Sequence, residues 1–260
     1  MGPASHLEFA LCAARAAGEV LLQYFRGAHL ERRFKSDHTL VTAADLAANE
    51  SITAALREVY PQDGLITEEA GTLYRGEEAV WIVDPLDGTT NYQWGLPIWG
   101  VSLARWVGGE PALGVLHFPL LGETYAAQRG RGVTFNGEPL HRKSGLPLTF
   151  FACCSRTHRR YHITLPHKTR ILGAVAYNMA QVAAGNAALN LEVTPKLWDV
   201  AAGWLIVEES GGVVHIMEGD SPIPLKPGAD YGKMHFSTLA AGSPALLQEG
   251  LAGIHPRENA

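Results

Sequence analysis

Cysteine is scarce, with three among 260 residues, at Cys12, Cys153 and Cys154. An odd count with two neighbours offers no disulfide framework and no C-x-x-C metal spacing. A reducing cytoplasm is the simplest compartment for such a chain. No apolar run approaches the ~20 residues that span a bilayer. The opening Met1-Gly2-Pro3-Ala4-Ser5-His6 lacks a basic stretch followed by an apolar core, so neither a membrane span nor a secretion signal is expected. Positive charge is not in excess: the formal net charge is −5, which argues against a nucleic-acid polymer as partner. Internal repeats and low-complexity segments are absent. What is present, 47% hydrophobic residues with 28 glycines and 15 prolines, suffices for one large or two small domains with a substantial core.

Ser5-His6-Leu7-Glu8 is a capping-box pattern. Leu7, Leu11, Ala14, Gly18, Leu21 and Phe25 follow at helical spacing, and Gly27 is expected to close that helix. A second helix is expected to start within Thr42 to Asp45, with Leu46, Ile52, Leu56 and Val59 facing inward and Pro61 beyond its end. From Trp99 to Val133 the period changes. Val101–Trp106, Gly114–Phe118 and Glu123–Ala127 are short runs split by glycine or proline and read as antiparallel strands. The stretch 141–148 is the best boundary candidate. Beyond it come strand-like Thr149–Cys153, a basic loop, an alanine-rich helix near 174–184, a helix from Asp199 to Glu209 and a strand over Val213–Met217. A last helix begins at Ser243-Pro244.

The most informative stretch is Trp81-Ile82-Val83-Asp84-Pro85-Leu86-Asp87-Gly88-Thr89-Thr90-Asn91-Tyr92. Residues 80–83 read as a buried strand. Pro85 fixes φ and lacks an N–H, so the chain is expected to leave the sheet there. Asp84 and Asp87 then stand at the strand end with hard oxygen ligands suited to a hard cation. Gly88 lets the backbone approach a ligand, and the amides of Thr89 and Thr90, at an expected helix start, point at an anion. Cation and anion sites are thus built side by side. A bound cation inverts the local field, so the negative net charge does not disfavour a phosphate substrate.

This stretch resembles the signature of the inositol monophosphatase family, the magnesium-dependent, lithium-sensitive phosphatases. Trp198-Asp199-Val200-Ala201-Ala202-Gly203, with Glu208-Glu209-Ser210-Gly211-Gly212 after it, is similar to a second family signature. Thr67-Glu68-Glu69-Ala70-Gly71 and Leu40-Val41-Thr42-Ala43-Ala44-Asp45 match two further elements. All four stand in the family order. The resemblance implies a five-layer α-β-α-β-α sandwich. Residues 1–145 would form an α+β part with an antiparallel sheet and most metal ligands, and 146–260 an α/β part with Asp199 and the alcohol pocket. It also implies lithium sensitivity and a homodimer.

By the same resemblance, Glu68, Asp84, Asp87 and Asp199, with the Leu86 carbonyl, would hold two or three Mg²⁺ ions, and Glu69 would stand behind Glu68. Taken singly, these acids also read as a solvated loop, Asx turns and a helix cap. Thr89 and Asp45 would orient and deprotonate the attacking water; alone, Asp45 reads as a favourable charge in a helix's first turn. Gly88, Thr89 and Thr90 would hold the phosphate. Gly173-Ala174-Val175, Glu192 and Asp199 would meet the alcohol half, although Ala174 stands where relatives have threonine. Glu192 also reads as a surface acid. Lys35 and Ser36 resemble a mobile metal-covering loop, or are an exposed turn. The expected activity is hydrolysis of a small polyol phosphate, inositol monophosphate first. Fructose 1,6-bisphosphate, histidinol phosphate and 3′-phosphoadenosine 5′-phosphate are alternatives, as is a non-catalytic sugar-phosphate-binding role. The basic segment Arg156, His158, Arg159, Arg160, His162, His167, Lys168 and Arg170 reads either as a solvated loop or subunit contact or as a grip on a second phosphate, which Arg suits. His158 and His162 lack the glutamate of a zinc motif.

Overall fold

The computed structural model describes residues 5–25, 32–34, 40–69, 71–142 and 149–257, with the backbone alone over 32–34 and 40–42. The first helix, α1 (His6–Tyr24), is capped as expected: the Ser5 side chain accepts from the Glu8 amide at 3.2 Å. It buries a stripe of small residues, Ala10, Ala13, Ala14, Ala17 and Gly18, between Phe9 and Leu21. Gly27 lies outside the described residues. A short antiparallel pair, β1 (Arg32–Phe34) and β2 (Leu40–Thr42), leads into α2 (Ala43–Val59). That helix departs from expectation at Leu46, which is 46% exposed, while Asp45 beside it is 1% exposed. The carboxylate takes the inward position and the leucine is turned out.

The next strands form a seven-stranded sheet in chain order: β3 (Gly64–Thr67), β4 (Ala79–Asp87), β5 (Gly100–Val107), β6 (Glu110–Phe118), β7 (Glu123–Gln128), β8 (Val133–Phe135) and β9 (Glu138–Pro139). Only β3 and β4 pair in parallel within this sheet; the other neighbours are antiparallel. All nine residues of β4 are buried. Each large one, such as Trp81 or Ile82, contributes roughly 1.5–3 kcal/mol by leaving water. The chain does not leave the sheet at Pro85. It stays through Asp87, with a bulge that sets Asp84 opposite Ser102 and Asp87 opposite Gly100. A bulge is where a strand tolerates a residue without an N–H. A short helix, α3 (Thr89–Gln93), follows β4, and the Tyr92 hydroxyl ties it to the Leu21 carbonyl of α1 at 2.6 Å.

The second half supplies β10 (Phe150–Cys153), α4 (Thr157–Arg160), β11 (Tyr161–Ile163), β12 (Lys168–Arg170), α5 (Val175–Ala183), β13 (Ala187–Glu192), α6 (Leu197–Glu209), β14 (Val213–Glu218), β15 (Ser237–Ala241), α7 (Pro244–Gly253) and β16 (Ile254–Pro256). The expected basic loop is therefore partly structured, as α4, β11 and β12. Five strands make a mixed sheet in the order β12-β10-β13-β15-β14, and β11 pairs with β16. Helices α1 and α2 cover the outer face of the first sheet, α5 and α6 lie between the sheets, and α7 packs on the second. This is the α-β-α-β-α layering. The main core runs from Ile66 to Ala240 and draws on both sheets. The approach of α6 to β6 depends on Gly114: a Cβ there would lie 2.7 Å from the Ala202 carbonyl oxygen. Among the described residues no helix is long and apolar enough to cross a membrane.

Candidate active site

Four segments converge at the carboxyl end of β4. Asp84 and Asp87 come from its bulge and are 2% and 5% exposed. Asp199 comes from the first turn of α6, which is fixed to the sheet by the Ser102 hydroxyl donating to the Trp198 carbonyl at 3.2 Å. Glu68 follows β3, its amide donating to the Val83 carbonyl at 3.3 Å. Asp45 comes from the first turn of α2.

Burial and neighbouring charge raise the proton affinity of the three aspartates from β4 and α6. Burial first, then Glu68, Asp87 and Asp199, lift the Asp84 carboxyl well above the usual range, and the Leu86 amide pulls it back. Burial and Glu68 lift Asp199 likewise, opposed by the Lys196 amide, which donates to Asp199 Oδ2 at 2.8 Å. Asp199 therefore serves its helix start and faces the centre at once. Burial pushes Asp87 up to about 7, against the pull of the Val175 and Ala176 amides, which donate to its two oxygens at 3.0 and 2.8 Å. Among the described residues no three acidic, histidine or cysteine side chains form a ready ligand cage. Each Asp87 oxygen keeps a second lone pair.

The same bonds explain Ala174. As N-cap of α5 it has no side-chain oxygen to offer, so Asp87 caps that helix from across the site. Ala174 itself is buried, 3% exposed. Its methyl would lie 3.1 Å from a Cβ built on Gly88, whose φ of +86° also favours glycine. The starts of α3 and α5 therefore touch. Gly173 adjoins Leu172, whose carbonyl accepts from Asn91 Nδ2 at 2.7 Å. Thr90 is exposed, and Gly88 and Thr89 are half-buried. The first bond inside α3 runs from the Tyr92 amide to the Gly88 carbonyl, so the Thr89 and Thr90 amides precede it and have no helical acceptor. The Thr89 hydroxyl faces two acceptors, the Leu86 carbonyl at 3.1 Å and Asp45 Oδ1 at 3.5 Å. The Leu86 side chain is core.

Glu192 is no surface acid. It is 3% exposed and accepts from Asn178 Nδ2 at 2.7 Å. Burial, with Asp199 adding to it, raises its carboxyl to about 7 against the pull of Asn178. Lys35, Ser36 and Ala70 lie outside the described residues. A cleft of about 760 Å³ opens beside the centre, lined by the acids Glu68 and Asp199 and by Arg156, Lys196, Lys233 and His235. Of the basic segment it is Arg156 that lines this cleft. Arg160 pairs with Glu218 at 3.5 Å and His167 with Glu249 at 2.8 Å instead. Lys196, Lys233 and His235 escaped the sequence reading; only Lys196, three residues before Asp199, stands near a recognisable motif.

The donors present, four carboxylates and a backbone carbonyl crowded in a buried acidic centre, fit a hard divalent cation. Its charge would offset the burial and repulsion that now raise the proton affinity of Asp84 and Asp199. Layered α/β architecture and a carboxylate centre abutting helix-start amides define a class of metal-centred phosphate-ester sites. The chain belongs to the inositol monophosphatase family, whose sequence profile matches residues 3–255. It is 34% identical over 265 residues to the Nus factor SuhB of Pasteurella multocida, covering 96% of each chain. It is 36% identical over 217 residues to the histidinol-phosphatase of Chlorobaculum parvum, covering 79% of this chain and 83% of that one. Among solved structures it is similar to Thermotoga maritima IMPase, with a TM-score of 0.77, 27% identity, and 95% and 96% of the two chains covered.

Proposed function

We propose that this chain is a Mg²⁺-dependent phosphomonoesterase acting on a small polyol or sugar phosphate. The observation that carries the reading is the juxtaposition of the mutually repelling Asp84, Asp87 and Asp199 with the Thr89–Asp45 pair and the start of α3. Glu68, Asp84, Asp87, Asp199 and the Leu86 carbonyl are the residues that would hold two or three ions. Bound there, Mg²⁺ supplies Lewis-acid charge to the phosphoryl group and acidifies water.

The chain's own residues do the rest. The amides of Thr89 and Thr90 hold the phosphate from the start of α3, where the equatorial oxygens carry the developing charge. Thr89 Oγ1 orients a water, and Asp45, beside that hydroxyl, accepts its proton. Asp87 fixes the start of α5 against α3, which keeps the alcohol pocket in register with the phosphate site. Glu192, beyond the start of α5, would accept hydrogen bonds from hydroxyl groups of the alcohol. A second reading, a binding protein without turnover, has support from relatives named Nus factor SuhB. The retained Thr89–Asp45 pair favours catalysis, since binding alone does not need it.

The test is phosphate release by metal-stripped protein with and without Mg²⁺. The substrates are inositol monophosphate, fructose 1,6-bisphosphate, histidinol phosphate and 3′-phosphoadenosine 5′-phosphate, with Asp87→Asn as control. Mg²⁺-dependent release by the natural protein, lost in the variant, is expected. Release that ignores Mg²⁺, or a variant of near-normal rate, overturns the reading.

A further inference from the structure

The cleft is lined by groups of opposite charge: the acids Glu68 and Asp199, and a basic wall of Arg156, Lys196 and Lys233 with His235. Three separate segments deliver these cations. Arg156 precedes α4, Lys196 is the N-cap of α6, and Lys233 and His235 lie on the stretch before β15.

They are knitted together through neutral acceptors. Arg156 Nη1 donates to Thr194 Oγ1 at 2.7 Å, and His235 Nδ1 lies 3.2 Å from the Thr194 carbonyl. Lys196 Nζ donates to the Gly232 carbonyl and stands 3.5 Å from His235 Nε2. Lys233 is already matched by Asp230 at 3.0 Å. Partial burial, then Lys196, hold the His235 imidazole below its ordinary range, so it is mainly uncharged at neutral pH.

That leaves Arg156 and Lys196. Among the described residues neither has a carboxylate within ion-pair distance, although Lys196 lies near enough to lower the Asp199 carboxyl slightly. Two like charges gathered on one wall repel, and an anion between them relieves that repulsion. A guanidinium also suits phosphate through paired N–H donors. A neutral polyol would make no use of either charge. A cationic alcohol would meet repulsion.

We propose that this wall receives a second phosphate, carried on the alcohol half of the substrate, with Arg156 as its principal contact. The inference rests on the phosphatase reading and narrows it: the substrate is a polyol or sugar bisphosphate rather than inositol monophosphate or the cationic histidinol phosphate.

Arg156 is the residue to change, because Lys196 is too close to Asp199 for a clean result. The kcat/KM of the natural protein, Arg156→Gln and Arg156→Lys would be compared on fructose 1,6-bisphosphate, inositol 1-phosphate and histidinol phosphate. Losing one charge-assisted contact should lower the bisphosphate value in Arg156→Gln by about tenfold or more. The inositol phosphate value should hold within about twofold, and Arg156→Lys should recover part of the loss. Equal effects on all three esters, or none, overturn the proposal. If the natural protein hydrolyses no ester, the phosphatase reading fails, and calorimetric titration with fructose 1,6-bisphosphate decides the wall separately. A weaker Kd in Arg156→Gln supports the wall, and an unchanged Kd refutes it.

Discussion

Thr89 holds a single hydroxyl proton between two acceptors, the Leu86 carbonyl and Asp45. In the proposed mechanism its backbone amide has a different task, holding phosphate at the start of α3. Removing the hydroxyl should therefore misplace the water while leaving the phosphate contact intact. In Thr89→Ala, kcat is expected to fall by about 10²-fold or more, in the range of a lost general acid–base group, with KM nearly unchanged. A rise in KM alone would make Thr89 a binding residue. At this scale the sequence was legible where chemistry is local. Asp84 and Asp87, three apart around a proline, point to a hard cation by their own chemistry, with an Asx turn as the ordinary alternative until the other family elements are set beside them. Asp45, more than forty residues away, was legible only through family resemblance, because a lone aspartate in a helix's first turn has an ordinary explanation. The cationic wall was not legible as a unit. Arg156 sat in a run whose other members turn elsewhere, and Lys196, Lys233 and His235 meet it only through tertiary folding.

Elements were easier to read than their inward faces. The antiparallel strands, α5, α6 and α7 lie near their expected positions because glycine, proline and caps punctuate them; Ser243 indeed accepts from the Leu246 amide at 3.2 Å. Leu46 was misjudged because hydrophobic spacing assumes that every inward position is apolar, and α2 spends one on Asp45. Pro85 was misjudged because a proline ends a regular strand but not a bulged one. The seat of α6 on β6 gives an element-scale prediction. Gly114→Ala would set a methyl 2.7 Å from a backbone oxygen of Ala202, which cannot rotate away. The α6 helix would have to lift, carrying Asp199 with it. A destabilisation of about 1–3 kcal/mol is expected, visible as a lower urea midpoint, together with weaker Mg²⁺ binding by calorimetry. An unchanged midpoint would mean that the interlayer contact is slack.

At the scale of the whole molecule, the acidic centre links stability to pH. In the metal-free protein Asp87 and Glu192 titrate at about 7, above the 3.8 and 4.5 of free carboxyls. Well below the free values of 3.8 and 4.5 both are protonated in folded and unfolded chains alike, and they add no difference. As pH rises toward 7, the unfolded chain releases these protons first and is favoured. Folding stability should therefore fall across that window, by up to about 4 kcal/mol for Asp87 alone. Bound Mg²⁺ should oppose the loss by binding the ionised folded form. Thermal melts of stripped protein are expected to show a lower Tm at pH 7.5 than at pH 5.5, and Mg²⁺ should raise Tm more at the higher pH. Equal Mg²⁺ effects at both pH values would contradict the linkage.

The bulge in β4 has one more consequence. Along a regular strand, residues three apart point to opposite faces, so Asp84 and Asp87 could not serve one centre. Here three steps on β4 match two on β5, from Ser102 to Gly100. The surplus residue changes the parity of the strand and returns the second aspartate to the side of the first. Re-pairing β4 regularly at its present length would point one carboxylate into the wrong layer, whereas deleting Leu86 along with the bulge would leave the two acids two apart and on one face. The spacing of these two acids is thus held by an odd–even constraint of the backbone as firmly as by their chemistry.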